Sequence, residues 1–120
     1  MERTRVLVVD DSADMRTSTK ILLELLGYEV ETAADGAAAL RMQKARPCDV
    51  LITDIFMPGI EGIETIAEFK ATWPAVRVIA MSGGGERTKS DYLAAALQIG
   101  ADATLYKPFS PATLVAALRE

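Results

Sequence analysis

The chain has no histidine, one cysteine and no long apolar run. Each of these absences narrows what it does. Without histidine it lacks the commonest general base near neutral pH and the commonest zinc ligand. With Cys48 alone, no internal disulfide can form, which fits a reducing, cytoplasmic setting. Cys48 adjoins a strand-like segment and reads as a buried structural thiol. No apolar stretch approaches a membrane-spanning length. The opening Met1-Glu2-Arg3-Thr4-Arg5 does not read as a signal peptide. No membrane insertion is therefore expected. Basic residues are not in excess: 13 Lys and Arg against 17 Asp and Glu leave a formal charge of −4. Direct nucleic-acid binding is not expected of such a chain, because phosphate contacts need clustered Lys and Arg.

What is present is the composition of an ordinary soluble domain, 50% hydrophobic and 25% charged over 120 residues. That length supports one domain with a real core, expected to span residues 1–120. Strand-like segments at about 5–10, 28–33, 49–54, 76–81 and 103–107 alternate with amphipathic ones. Met15, Leu22, Leu25 and Leu26 fall at helical spacing before Gly27. An Ala-rich segment runs from Gly36 to Lys44 and ends before Pro47. Ile63, Ile66 and Phe69 mark a third helix, and Leu93, Ala96 and Leu97 a fourth, closed by Gly100. Leu114, Ala117 and Leu118 mark a fifth, with Ser110 as N-cap and Pro111 as first helical residue. The leucine and isoleucine stripes are expected to be core. Alternating strands and helices predict an α/β fold, three layers deep, with a parallel five-stranded sheet between helices. Glu29 and Glu31 alternate with Tyr28, Val30 and Thr32, so the second strand reads as a half-exposed edge. Strands one, three and four are more uniformly apolar and read as central.

The chemistry sits where these strands end. Asp10 and Asp11 follow Val6-Leu7-Val8-Val9, Asp54 follows Val50-Leu51-Ile52-Thr53, and Lys107 follows Leu105-Tyr106. Sites in open parallel sheets form at the carboxyl ends of strands, so residues distant in sequence can converge there. Three carboxylates that close repel unless a cation sits among them. Mg²⁺ suits such a site, since it takes oxygen ligands and needs only one or two carboxylates with water or phosphate oxygens. A carboxylate can also act as nucleophile and become an aspartyl phosphate, with an ammonium neutralising the transferred group. Ser82, in Ala80-Met81-Ser82-Gly83-Gly84, places a hydroxyl at the end of strand four.

Val8-Val9-Asp10-Asp11, Asp54-Ile55-Phe56-Met57-Pro58-Gly59 with Gly62, Ser82, and Lys107-Pro108-Phe109 occur in that order over essentially the whole chain. In this the chain resembles the receiver domains of bacterial two-component systems. The resemblance implies a doubly wound (βα)5, flavodoxin-like fold of strand order 2-1-3-4-5. It implies that Asp54 accepts a phosphoryl group from a sensor histidine kinase or phosphotransfer protein. Mg²⁺ would be held by Asp11 directly, Asp10 through water, Asp54 and the backbone carbonyl of Phe56. Ser82 and Lys107 would contact the phosphoryl group, and the Lys107–Pro108 bond would be cis. Such a domain catalyses only its own phosphorylation and dephosphorylation and is otherwise no enzyme. It passes its state to an unidentified downstream protein, as a monomer or a phosphorylation-dependent dimer.

The chain departs from that family in three places. Thr104 stands three residues before Lys107, where receivers carry Tyr or Phe; Tyr106 lies on the same face of the strand. Gly83-Gly84-Gly85 predicts a mobile loop into helix four. Phe56 and Gly84 occupy the positions that tune attack of water on the phosphoaspartate, and the bulk of Phe56 predicts slow self-dephosphorylation. Three other readings fit less well. A non-phosphorylated interaction module is favoured by Thr104 and the glycine loop, but the intact acidic set and Lys107 argue against it. A Mg²⁺-dependent phosphatase with an aspartyl nucleophile would carry Asp-x-Asp where this chain has Asp54-Ile55-Phe56. A flavin protein would carry hydroxyls and glycines, not two acids, after strand one.

Overall fold

The computed structural model describes residues 3–55, 62–82 and 89–119. The expectations placed on Phe56, on Met57-Pro58-Gly59 and on Gly83-Gly84-Gly85 lie outside these residues. Strands β1 (Arg5–Val9), β2 (Glu29–Ala33), β3 (Val50–Asp54), β4 (Arg77–Ser82) and β5 (Ala103–Tyr106) form one sheet. All pairings are parallel and the order is β2-β1-β3-β4-β5. Between them run α1 (Ala13–Leu25), α2 (Gly36–Ala45), α3 (Gly62–Thr72) and α4 (Lys89–Gln98), and α5 (Pro111–Arg119) closes the chain. Each strand lies within one residue of its sequence-based boundaries.

The sheet order follows from the strands' side chains. β3 is buried at every residue, as a strand covered on both faces must be. β2 takes the edge, and its half-buried Glu29 and Glu31 are answered by Arg5 and Arg46. Charges of this kind also discourage a further strand from pairing there. Helix starts are set by side chains that accept otherwise unpaired amides. Ser12 Oγ accepts from Met15 N–H at 3.3 Å, Asp35 Oδ1 from Ala38 N–H at 2.8 Å and Ser110 Oγ from Thr113 N–H at 3.1 Å. The chain leaves α1 and α4 through Gly27 (φ +98°) and Gly100 (φ +122°), left-handed conformations that favour glycine.

Two apolar layers flank the sheet. Leu7, Val9, Leu51, Ile66, Phe69 and Ala96 pack on the face covered by α2, α3 and α4. Val8, Leu23, Ile52, Ile79, Leu114 and Leu118 pack on the face covered by α1 and α5. Burying one such leucine, isoleucine or phenylalanine fully contributes about 1.5–3 kcal/mol. Three leucines expected in the core are exposed: Leu25 (80%), Leu26 (41%) and Leu97 (49%). Successive helical residues turn by about 100°. With Leu23 and Ala96 fully buried, Leu25 sits about 200° round from Leu23, and Leu97 about 100° from Ala96. The true inward residue of α1, Leu23, adjoins one of the stripe residues and was hidden by the run Leu22-Leu23.

Candidate functional site

Parallel alignment brings the carboxyl ends of four strands to one edge of the sheet. Val9, which closes β1, pairs with Thr53, Asp54 with Met81, and Ser82 with Tyr106. Asp10 follows β1, Asp54 and Ser82 are the last residues of β3 and β4, and Lys107 follows β5. The backbone joins two of these ends directly, since Lys107 N–H donates to Ser82 O at 2.8 Å. The Lys107–Pro108 bond is cis.

Asp10, Asp54 and Ser82 are buried, Lys107 is nearly so, and Asp11 is exposed. Lys107 Nζ donates to Asp10 Oδ2 and to Asp54 Oδ2, each at 2.6 Å. Burial pulls the lysine pKa down, but the hydrogen bonds and charges of Asp10 and Asp54 outweigh it and hold it above its ordinary value. One carboxylate oxygen from each of Asp10, Asp11 and Asp54 lies within 4.8 Å of the other two. Two like charges about 4 Å apart repel by about 4 kcal/mol at an effective dielectric near 20. A single ammonium leaves this group with a net charge of −2, counting three carboxylates against Lys107. The donor set is all oxygen, which fits a small hard cation such as Mg²⁺ rather than zinc or copper.

The loop that carries Asp10 and Asp11 is held at every polar atom of Asp10. Its N–H donates to Ala33 O at 3.2 Å, and its Oδ1 accepts from Ser12 N–H at 2.9 Å. Its Oδ2 accepts from Lys107, and its carbonyl accepts from Arg16 Nη1 at 2.8 Å. Sequence reasoning found the acids and the lysine but neither Ser12 nor Arg16. The Asp-x-Ser spacing was a usable sign of an Asx-type turn; the reach of Arg16 back over six residues had no comparable signature. Beyond Asp54 the chain returns so closely that Gly62 N–H donates to Ile55 O at 3.1 Å. A Cβ on Gly62 would lie 2.1 Å from the Asp54 carbonyl oxygen. On β5, Tyr106 is half exposed (53%) and Thr104 half buried.

The match to known proteins is broad. Residues 6–119 match the family model described as the response regulator receiver domain. The transcriptional regulatory protein PrrA of Mycobacterium tuberculosis is 41% identical over 115 residues, 96% of this chain and 48% of PrrA. KdpE of the same species is 38% identical over 97% of this chain and 50% of its own length. The chain thus spans about half the length of the curated relatives it matches. Among solved structures, a receiver domain protein from Clostridium thermocellum superposes with a TM-score of 0.87 at 33% identity, covering 96% of this chain and 90% of that one. The chemotaxis protein CheY4 of Vibrio cholerae gives 0.86 at 32%, with 98% of both chains covered.

Proposed function

This chain belongs to the response regulator receiver domain family, and from that membership we propose that Asp54 is the residue that accepts the phosphoryl group. The observation that carries the assignment is the Lys107 ammonium shared between Asp54 and Asp10 at the carboxyl edge of the sheet. In the reaction, an Asp54 carboxylate oxygen attacks the phosphorus of a phosphohistidine on a sensor histidine kinase or phosphotransfer protein. The O–P bond forms as the N–P bond breaks, and the imidazole leaves with the electron pair and takes a proton from solvent. Lys107 turns its charge to the arriving phosphoryl oxygens, and the Ser82 hydroxyl donates to another of them.

Asp10, Asp11 and Asp54, with the Phe56 carbonyl, would hold Mg²⁺, which when bound neutralises charge on the transferring group. Three carboxylate oxygens already gathered within 4.8 Å support that role. The protein turns over no separate substrate, and its chemistry ends with its own phosphorylation and dephosphorylation. Residues 1–120 form one receiver domain on this reading, supported by the continuous match over 6–119. No helix among the described residues is long and apolar enough to cross a membrane, and a cytoplasmic setting fits the kinase and the single buried thiol. The phosphorylated state shifts the population of surface arrangements around α4 and β5 toward those that a downstream protein recognises.

The test is transfer of labelled phosphoryl from an autophosphorylated histidine kinase, with Mg²⁺ and with EDTA. Label that reaches the chain only with Mg²⁺ supports the reading. Equal labelling in EDTA, or none from any of a panel of kinases, contradicts it.

A further inference from the structure

Arg16 is absorbed by none of the roles above, yet its guanidinium reaches back from the first turn of α1 to the Asp10 carbonyl at 2.8 Å. We propose that Arg16 is a positioning residue for the divalent-cation site, fixing the Asp10–Asp11 loop in its binding geometry while touching neither the metal nor the phosphoryl group. The proposal rests on the reading of Asp10, Asp11 and Asp54 as the Mg²⁺ site.

The geometry separates two jobs. Asp10's side chain is already oriented from two directions, by Ser12 N–H on Oδ1 and Lys107 on Oδ2. Those bonds set the carboxylate, and neither is made by an atom of the Asp10–Asp11 peptide. The carbonyl of that peptide is the atom Arg16 takes. The peptide after Asp11 is held by its Ser12 N–H on Asp10 Oδ1, and Arg16 holds the peptide before it, so the direction of the exposed Asp11 carboxylate depends on both planes. A charged donor on a carbonyl is among the stronger neutral-to-ion hydrogen bonds. The backbone of Arg16 is itself anchored, its N–H donating to Ser12 O at 3.0 Å, so the clamp is referred to the helix rather than to a mobile side chain. Partners of this outer kind orient the groups that ligate and tune their affinity.

The sign of the effect makes the proposal decisive. A positive guanidinium beside three carboxylates opposes a second cation by simple charge. If charge were all that Arg16 contributed, removing it would tighten Mg²⁺ binding. If it positions the loop, removing it weakens Mg²⁺ binding.

The test is calorimetric titration of the full chain with MgCl₂, alongside thermal melts in EDTA, for wild type, R16Q, R16M and R16K. Neither Gln nor Met delivers a donor to the Asp10 carbonyl; Gln is too short and Met has none. R16Q and R16M are expected to raise the Mg²⁺ Kd about tenfold, the low end for loss of an outer partner, while the metal-free protein still melts cooperatively, below wild type by no more than about 10 °C. R16K, which keeps one donor and the charge, is expected to recover part of the loss. If R16M does not fold, R16Q decides the matter alone. Mg²⁺ binding by R16Q that equals or exceeds wild type overturns the proposal and leaves the metal site intact. Absence of Mg²⁺ binding in wild type overturns the metal reading, and the proposal with it.

Discussion

Lys107 and Asp54, 53 positions apart in the chain, meet through a 2.6 Å contact between Nζ and Oδ2. The same ammonium also contacts Asp10, so one cation links the ends of β1, β3 and β5. Substituting Lys107 by Met removes the ammonium that these two carboxylates share. Breaking a buried pair in this way typically costs about 3–5 kcal/mol, here reduced because Asp11 is exposed and water can enter. K107M should therefore melt below wild type in EDTA and gain more than wild type does from added Mg²⁺, since the metal replaces the lost charge. Differential scanning fluorimetry across a MgCl₂ series checks this. Equal Mg²⁺-induced shifts in the two proteins contradict it.

Gly62 stands against the backbone of Asp54, the proposed phosphoacceptor. A methyl group there would meet the Asp54 carbonyl oxygen at 2.1 Å and Ile55 Cα at 2.5 Å, and backbone cannot step aside as a flexible side chain would. G62A should lose about 1–3 kcal/mol, the usual range for overpacking, by urea denaturation. It should also slow phosphorylation, because the strain falls on the Asp54 peptide. Unchanged stability would mean that α3 can shift its start without disturbing β3.

At the opposite end of the sheet, Asp102 accepts from Val78 N–H at 2.8 Å and from Lys70 Nζ at 3.0 Å. Burial alone would raise the Asp102 pKa, but the Val78 amide and Lys70 outweigh it and lower the pKa below its ordinary 3.8. A carboxyl with a depressed folded-state pKa stabilises the fold above its unfolded value and loses that contribution as pH falls through the folded one. Stability of the wild type should therefore fall below about pH 4 more steeply than that of D102N. Denaturant titrations at pH 5 and pH 3 measure it, and parallel pH profiles would rule it out.

Cys48 is buried, and burial pushes its thiol up to about 11 from 9.0. The native protein should resist thiol reagents at pH 8 and react fully once unfolded. Because the folded state holds the proton more tightly, this group's contribution to stability is complete below pH 9 and declines toward pH 11. Rapid native labelling at pH 8 would show that the start of β3 opens readily.

Much of the site was legible because strand ends are a one-dimensional signal. A short apolar run closed by Asp54 or Lys107 says both where the strand stops and which edge of the sheet the charge occupies. β2 was legible as an edge because Glu29 and Glu31 cannot face two apolar layers. Leu25 and Leu97 misled because helical phase depends on which neighbour faces inward, and Leu22-Leu23 and Ala95-Ala96-Leu97 offer several phases of similar apolarity. Arg16 escaped as part of the site, and Gly62 stood in the motif with no role assigned, for a different reason. Their roles are contacts to backbone atoms, a carbonyl in one case and a close approach in the other, and backbone contacts leave no residue-type pattern in the partner.

The most direct measurement is intact-mass spectrometry of wild type and D54N after incubation with a small phosphodonor and Mg²⁺. The account predicts that wild type gains the mass of one phosphoryl group, that peptide mapping puts it on Asp54, and that D54N gains none. A phosphoryl group that persists in D54N, or a wild type that takes up none, would contradict it.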